Sequence, residues 1–321
     1  MYFPYLRGKQ FELKALREFS AEHQKVKSIV PIIEAVNSNY STLNITIQEL
    51  LANNIQFALI MNPVNGDFSH PNISFNIVNE QNGLLEHPDD WIPTYLFNGN
   101  PQFFRDVVLE APYSQIMLVF RDAVDFVDNR TLNEIVSNEK VSYIVFNNGS
   151  AISRRSKRFL REIGKNIIGL NDCFNEKARN VDYLDNDDEL FSEMPFYYND
   201  DNLYGFSDYT ALSSKYVEGG MMPYALAIHL TYQRNDDQIY IHHFVSDSNR
   251  TRADIRGKFS EAVRKIPPFY YENGITITKA VQDLINRANS GNEYPGLGYL
   301  KKLSVLNHLE LTYRILQSNV N

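Results

Sequence analysis

Along the first two-thirds of the chain one unit keeps recurring: a short apolar run stops on a polar residue, and a stretch with helical spacing follows. The runs are rich in β-branched and aromatic residues. YFPYLRG (2–8) stops at Arg7, SIVPIIEAV (28–36) at Glu34, FALIMNPV (57–64) at Asn62, and IPTYLFNG (92–99) at Asn98. QIMLVFRDA (115–123) stops at Arg121 and Asp122, VSYIVFNNG (141–149) at Asn147 and Asn148, and NIIGLNDCF (166–174) at Asn171 and Asp172. LYGFSDYTAL (203–212), with Asp208, reads as an eighth strand. Near-continuous apolar runs are what parallel strands covered on both faces require. The polar residue at each stop falls where a (β/α)8 barrel keeps its chemistry. The expected fold class is therefore α/β, a TIM-barrel-like (β/α)8, with residues 1–321 as one barrel-like domain: 1–212 the βα repeats and 213–321 additions.

The intervening stretches carry apolar stripes at helical spacing. Helices are predicted over Lys9–His23, Ser41–Asn53, Gln102–Leu109, Thr131–Val136 and Ser153–Ile163, with Asp128 or Asn129 as N-cap of the fourth. Residues 65–90 lack a period and read as a long polar excursion. After the seventh strand the repeat breaks. Residues 181–202 read as a mobile acidic loop, and Gly219-Gly220 as a turn. YALAIHLTY (224–232) and QIYIHHFVS (238–246) read as a β-hairpin around Gln233–Asp237, either inserted in the last βα connection or covering the barrel mouth. Helices follow over Asp254–Lys265, Thr278–Ala288 and Tyr299–Leu316, the last with a stripe of Leu300, Leu303, Leu306, Leu309, Tyr313 and Leu316 that packs on the body.

Composition narrows the setting. No run nears the roughly 18 apolar residues of a membrane span, so no membrane role is expected. Arg7 and Lys9 break up any apolar leader, and the single cysteine, Cys173, excludes an internal disulfide; a cytoplasmic location is expected. The net charge of −8 is concentrated in eight acids between Asp182 and Asp201, so a local basic surface elsewhere remains open to a polyanion.

The strand-end residues carry the candidate chemistry. Glu34, Asp122, Asp172 and Asp208 could act as general acid and base or hold a divalent metal, a cofactor expected only if the protein is an enzyme. Arg7 and Arg121 could clamp a phosphate, with Asn62, Asn147 and Asn171 beside them. The same residues also have a plainer use, capping strands and pairing with one another. Arg154, Lys157, Arg158 and Arg161 share a face of the helix over 153–163, which could track nucleic-acid phosphates or simply be solvated. His242 and His243 fall on opposite strand faces with His229 in the partner strand, so a three-His zinc site is conceivable. No phosphate-cradling glycine loop of the GxxxxGK[ST] or GxGxxG type is present. Asp185–Glu189 lacks the glycine and spacing of a calcium loop.

The opening MYFPYLRGKQFEL, with IVPIIEAV, resembles a defence-associated bacterial family that begins in nearly this way. The wider arrangement resembles the "beta family" proteins of phages and bacteria, which pair an early P-I-I-E-type strand with a later G-D-Y-like element and a β-hairpin. Here that element is GFSDYTAL (205–212), with Ser207 ahead of Asp208 where the family has a closer Gly-Asp. The resemblance implies a barrel-like fold and a component of an anti-phage defence system: a sensor or regulatory partner of a nuclease-type protein, contacting that partner or a phage factor. The alternative from the residues is a barrel enzyme, a phosphodiesterase or other hydrolase acting on a phosphate-bearing substrate.

Overall fold

In the computed structural model, which describes residues 1–148, 153–219, 222–235, 237–291 and 293–318, the chain divides into two compact units. The first comprises Met1–Leu13, Ser20–Asp172 and Tyr197–Tyr209; the second comprises Lys14–Phe19, Cys173–Phe196 and Thr210–Asn321. Lys14–Phe19 and Cys173–Phe196, which lie within the stretch of βα repeats, thus belong to the same unit as the residues from Thr210 onward.

All eight predicted strands form one parallel sheet in the first unit. They are β1 (Tyr5–Leu6), β2 (Ile32–Ile33), β3 (Phe57–Ile60), β4 (Trp91–Leu96), β5 (Ile116–Phe120), β6 (Val141–Asn147) and β7 (Asn166–Asn171). After a non-barrel strand β8 (Asp188–Ser192) comes the eighth, β9 (Gly205–Asp208). The order is sequential from β1 to β7 and then β9. Tyr2 bridges in parallel to Phe206 at one side and to Ile29 at the other, which joins the first strand to the last and makes the sheet a barrel. Phe3 N–H donates to Phe206 O at 2.8 Å, and Phe206 N–H to Met1 O at 3.0 Å. The fold is TIM-barrel-like.

Helices α1 (Gln10–Glu22), α2 (Ser41–Ala52), α3 (Pro101–Glu110), α4 (Arg130–Ser137) and α5 (Arg154–Glu162) follow their strands as the spacing predicts. Asn129 caps α4 by accepting from Leu132 N–H, and Asn100 caps α3 in the same way with Pro101 beginning the helix. Between β3 and β4 no α-helix forms; short 3-10 turns at Gly66–Ser69 and Ile77–Asn79 take its place. The barrel is filled by side chains at every second strand position: Phe3 and Tyr5, Val30 and Ile32, Ala58 and Ile60, Ile92 and Leu96, Met117 and Val119, Val145, Ile168 and Leu170, and Tyr209. This alternation decides which strand-end residues enter the mouth.

The second unit carries an antiparallel sheet of β10 (Ala227–Asn235), β11 (Gln238–Val245) and β8, in the order β10-β11-β8. The expected hairpin is present; Asp236 of its turn, and Gly220 of the Gly219-Gly220 turn, lie outside the described residues. The expected acidic loop needs correction. Residues 181–202 hold the end of a 3-10 turn (Asn180–Asp185), then β8 and the single turn α6 (Met194–Tyr197). The acids hide β8 from its hydrophobic pattern, but the strand forms because they meet partners: Tyr232 and Arg234 donate to Asp188, at 2.9 and 3.1 Å.

Four helices complete this unit: α7 (Ile255–Val263), α8 (Ile266–Glu272), α9 (Lys279–Asn289) and α10 (Leu297–Ser318). The predicted leucine stripe of α10 is buried, and so are Lys302, Ser304, Asn307, His308, Glu310 and Thr312. Pairing of most of these polar groups makes such a helix tolerable, although Thr312 Oγ1 has no hydrogen-bond partner. Asn307 donates to Thr231 O at 2.8 Å and accepts from Thr278 at 2.8 Å, while Lys302 donates to Glu18 at 2.5 Å. Among the described residues, no helix is long and apolar enough to cross a membrane.

The barrel seam is the packing-critical point of the first unit. A Cβ on Gly205 would lie 2.7 Å from both Met1 O and the Phe3 ring. Gly205→Ala should therefore cost about 1–3 kcal/mol through forced displacement of the seam, read as a lowered urea midpoint with an unchanged slope.

Candidate functional site

The alternation that fills the barrel continues past the strand ends. It carries Arg7, Glu34, Asn62, Arg121, Asn147, Asp172 and Tyr209 on the inner face, and Asp122, Asn171 and Asp208 on the outer one. Pairing registers agree: Leu170 of the inner cluster lies opposite Ser207, and Asn171 lies opposite Asp208.

Glu34 is the centre of the inner set and is fully buried. Its Oε2 accepts from Tyr5 OH at 2.6 Å and lies 3.5 Å from Arg7 Nη1 and 3.7 Å from Arg121 Nη1. Its Oε1 accepts from Asn65 Nδ2 at 2.6 Å and from Val64 N–H at 3.3 Å. Both oxygens are thus occupied by donors from the ends of β1 and β5 and from the connection after β3. The Arg7 guanidinium sits 5.4 Å from the Tyr5 ring centroid and 5.2 Å from that of Tyr209, within cation–π range. Its backbone N–H donates to the buried Glu12 at 2.6 Å. Gly8 follows because the chain must turn against Glu34: it adopts φ +61°, and a Cβ there would meet Glu34 O at 2.8 Å. Burial, reinforced by the Glu34 charge, holds the Tyr5 phenol well above its usual range. Burial also raises Tyr209, against the opposing pull of Arg7 and Arg121, and the charge of Asp172 adds to the rise.

The remaining predicted residues take different roles. Asn62 spans β3 and β4, donating to Leu96 O and accepting from Leu96 N–H, both at 2.8 Å. Asn147 donates to Arg121 O at 3.1 Å and so fixes the strand end bearing that arginine. Asp172 is exposed at the rim, and Asp122 is exposed in the loop after β5. Asp208 is buried on the outer face and accepts from Tyr2 OH at 2.7 Å. Asn171 is half-buried, its Nδ2 without a hydrogen-bond partner. The four candidate carboxylates are therefore not gathered at one point. On α5, Arg158 pairs with Glu162 at 2.7 Å and Arg155 with Asp128 at 2.9 Å, while Arg154 and Arg161 are exposed. The basic face is in good part a solvated, paired one.

Three participants escape the strand-end reading. Tyr5 and Tyr209 are found by stepping two residues from Arg7 and from Ser207 along the inner face. Asn65 comes from the irregular β3–β4 connection, where its only signal is an Asn-Gly pair.

The histidines of the second unit do not form a trio. His229 and His243 face each other with Nδ1 atoms 2.7 Å apart, whereas His242 stacks on Phe269 with centroids 4.1 Å apart. Among the described residues, no group of three or more His, Cys, Asp or Glu side chains could hold a metal ion. With both Glu34 oxygens engaged by donors, the barrel mouth does not fit a divalent cation at that residue. No family model, curated protein or solved structure matches this chain.

Three outcomes follow from the Glu34 geometry. Glu34→Gln removes the charge and sets an NH2 donor against other donors in either amide orientation, and should destabilise the protein by roughly 3 kcal/mol in chemical denaturation. Tyr5→Phe should cost about 1.5–3 kcal/mol, the loss of a hydrogen bond to a charged group. Because the Tyr5 phenol is held above its unfolded value, its stabilisation is complete below about pH 10 and is lost as pH rises further. Wild type should thus lose more stability at alkaline pH than Tyr5→Phe does.

Proposed function

We propose that the C-terminal end of the barrel recognises a phosphate-bearing anion, and that the protein is a sensor or regulatory partner of a nuclease-type protein in anti-phage defence. The observation carrying this reading is the Arg7–Glu34–Arg121 cluster. Two guanidiniums converge on one carboxylate oxygen, an arrangement that concentrates positive charge at the barrel end. Separations of 3.5 and 3.7 Å are longer than the roughly 2.7–2.9 Å of a tight charge-assisted bond, so a phosphate can compete for them. Arg121, 28% exposed, meets the ligand, and buried Arg7 adds its charge behind it.

Recognition is favoured over hydrolysis by the fate of the carboxylates. Phosphoester hydrolysis needs a base or a metal cluster within reach of the bound phosphate. Glu34 is engaged by donors, Asp208 faces outward to Tyr2, and Asp122 lies in an exposed loop. Asp172, exposed at the rim, is the carboxylate on which the alternative hydrolase reading would have to rest. The defence role rests on the likeness of the opening segment, which includes both Arg7 and Glu34.

Calorimetric titration with inorganic pyrophosphate tests the site. Wild type should bind, and Arg121→Gln should weaken binding roughly 10- to 100-fold. Absence of binding by folded wild type overturns the proposal. Turnover of a phosphodiester that Asp172→Asn abolishes would establish the hydrolase instead. In cells, Arg121→Gln should lose phage protection while still co-purifying with the neighbouring nuclease-type product.

A further inference from the structure

In the second unit, β10 and β11 set His229 directly opposite His243, and their Nδ1 atoms lie 2.7 Å apart. At that separation one nitrogen must carry the hydrogen and the other the lone pair. The far nitrogen of His243, Nε2, lies 3.3 Å from Glu189 Oε1, which makes it a donor to the carboxylate. In the neutral pair His229 Nδ1–H therefore donates to His243 Nδ1. One added proton leaves the contact closed: the His243 imidazolium donates to Glu189 on one side and to His229 on the other. A second added proton puts two N–H groups face to face with no lone pair between them.

We propose that the Glu189–His243–His229 chain is a proton-gated latch, closed by one shared proton and opened by a second, whose release frees the segment carrying Phe174 and Tyr183. The inference is independent of the anion site in the barrel. His229 is the ring that leaves. The His243 side chain is buried and tied to Glu189, while the charges that reach His229, from His243 and Lys301, both oppose its protonation. The His229 ring packs edge-on against Phe174 and Tyr183, with centroids 5.1 and 4.8 Å away. Those two rings join Ala225 and Val245 in a small core of their own. The chain between Phe174 and Asp187 has one 3-10 turn and no strand, so it depends on this packing and on a few bonds. Asn180 donates to Ala225 O at 2.8 Å, and His243 N–H donates to Asp187 O at 2.8 Å.

The surrounding charges set the threshold. Glu189 and Asp187 favour charge on His243, and the neighbouring His242 opposes it. Lys301 of α10 and His243 itself oppose charge on His229, and Glu176 stands near Tyr183. Burial, the largest effect, pulls both imidazoles below the usual histidine range. The neutral pair thus contributes stability that is complete above about pH 6.5 and lost as pH falls. His242 lies on the other face, 3.5 Å from Asp188, and serves as an internal control.

Amide hydrogen exchange on the full chain, corrected for intrinsic rates, tests the latch. Between about pH 7 and pH 5, amides over 174–187 should lose roughly tenfold or more in protection. The loss should persist in His242→Gln and vanish in His229→Gln, whose neutral amide can still bond His243. Unchanged wild-type protection at the lower pH overturns the proposal, as does an equal loss in His229→Gln. Should His229→Gln not fold, nitrogen-15 histidine spectra of wild type decide: coupled titration of the two rings is expected, and independent titration of each near about 6.5 overturns it. Stoichiometric zinc binding that needs both rings would also overturn it, by making the pair a metal site.

Discussion

A carboxylate withdrawn completely from water must be surrounded by donors, and in this barrel that requirement falls on Glu34. Desolvation would otherwise cost several kcal/mol. It is met by Tyr5, Arg7, Asn65, Val64 and Arg121, which arrive from different strands and one loop. Each arrival constrains its carrier. Gly8 must turn tightly, Asn147 must hold the chain at Arg121, and Asn62 must tie the end of β3 to β4. The polar layer that ends the barrel core is thus built around one buried charge, and its pair of guanidiniums is a by-product of satisfying it.

The second unit meets the same constraint differently. Its acids are spread along β8 and each finds its own partners, Tyr232 and Arg234 at Asp188 and Asn175, Asn186 and His243 at Glu189. Its long helix α10 is buried with polar residues on it because Thr231, Thr278 and Glu18 supply partners. Where the first unit concentrates its polar interior, the second distributes it, and so depends on many modest bonds rather than on one.

This contrast explains what could be read from the chain. The eight barrel strands announce themselves because burial on both faces writes continuous apolar runs, and Arg7, Glu34 and Arg121 stand where those runs stop. Asp208 looked equivalent to them but is not: it sits one residue out of phase, and the inner position belongs to Tyr209. Chemical type drew attention to the carboxylate, whereas strand period selects the phenol. Strand β8 was obscured because an edge strand with paired acids has no apolar signature, and Asn65 because loop geometry has no period. The His229–His243 facing needs the register of two strands, which composition does not encode.

The seam at Tyr2 and Phe206 also bears on how the protein is made. β1 and β2 can pair as soon as both have left the ribosome, but the other side of β1 has no neighbour until β9 follows. At roughly 5–20 residues per second, the intervening chain takes about 10–40 s to synthesise. Throughout that interval the growing barrel is an open sheet with an unfilled edge and an apolar interior, the kind of surface that strands of other chains can join. The last barrel strand is therefore also the step that ends the nascent chain's exposure to aggregation, and a pause in translation shortly before Gly205 would prolong its most vulnerable state.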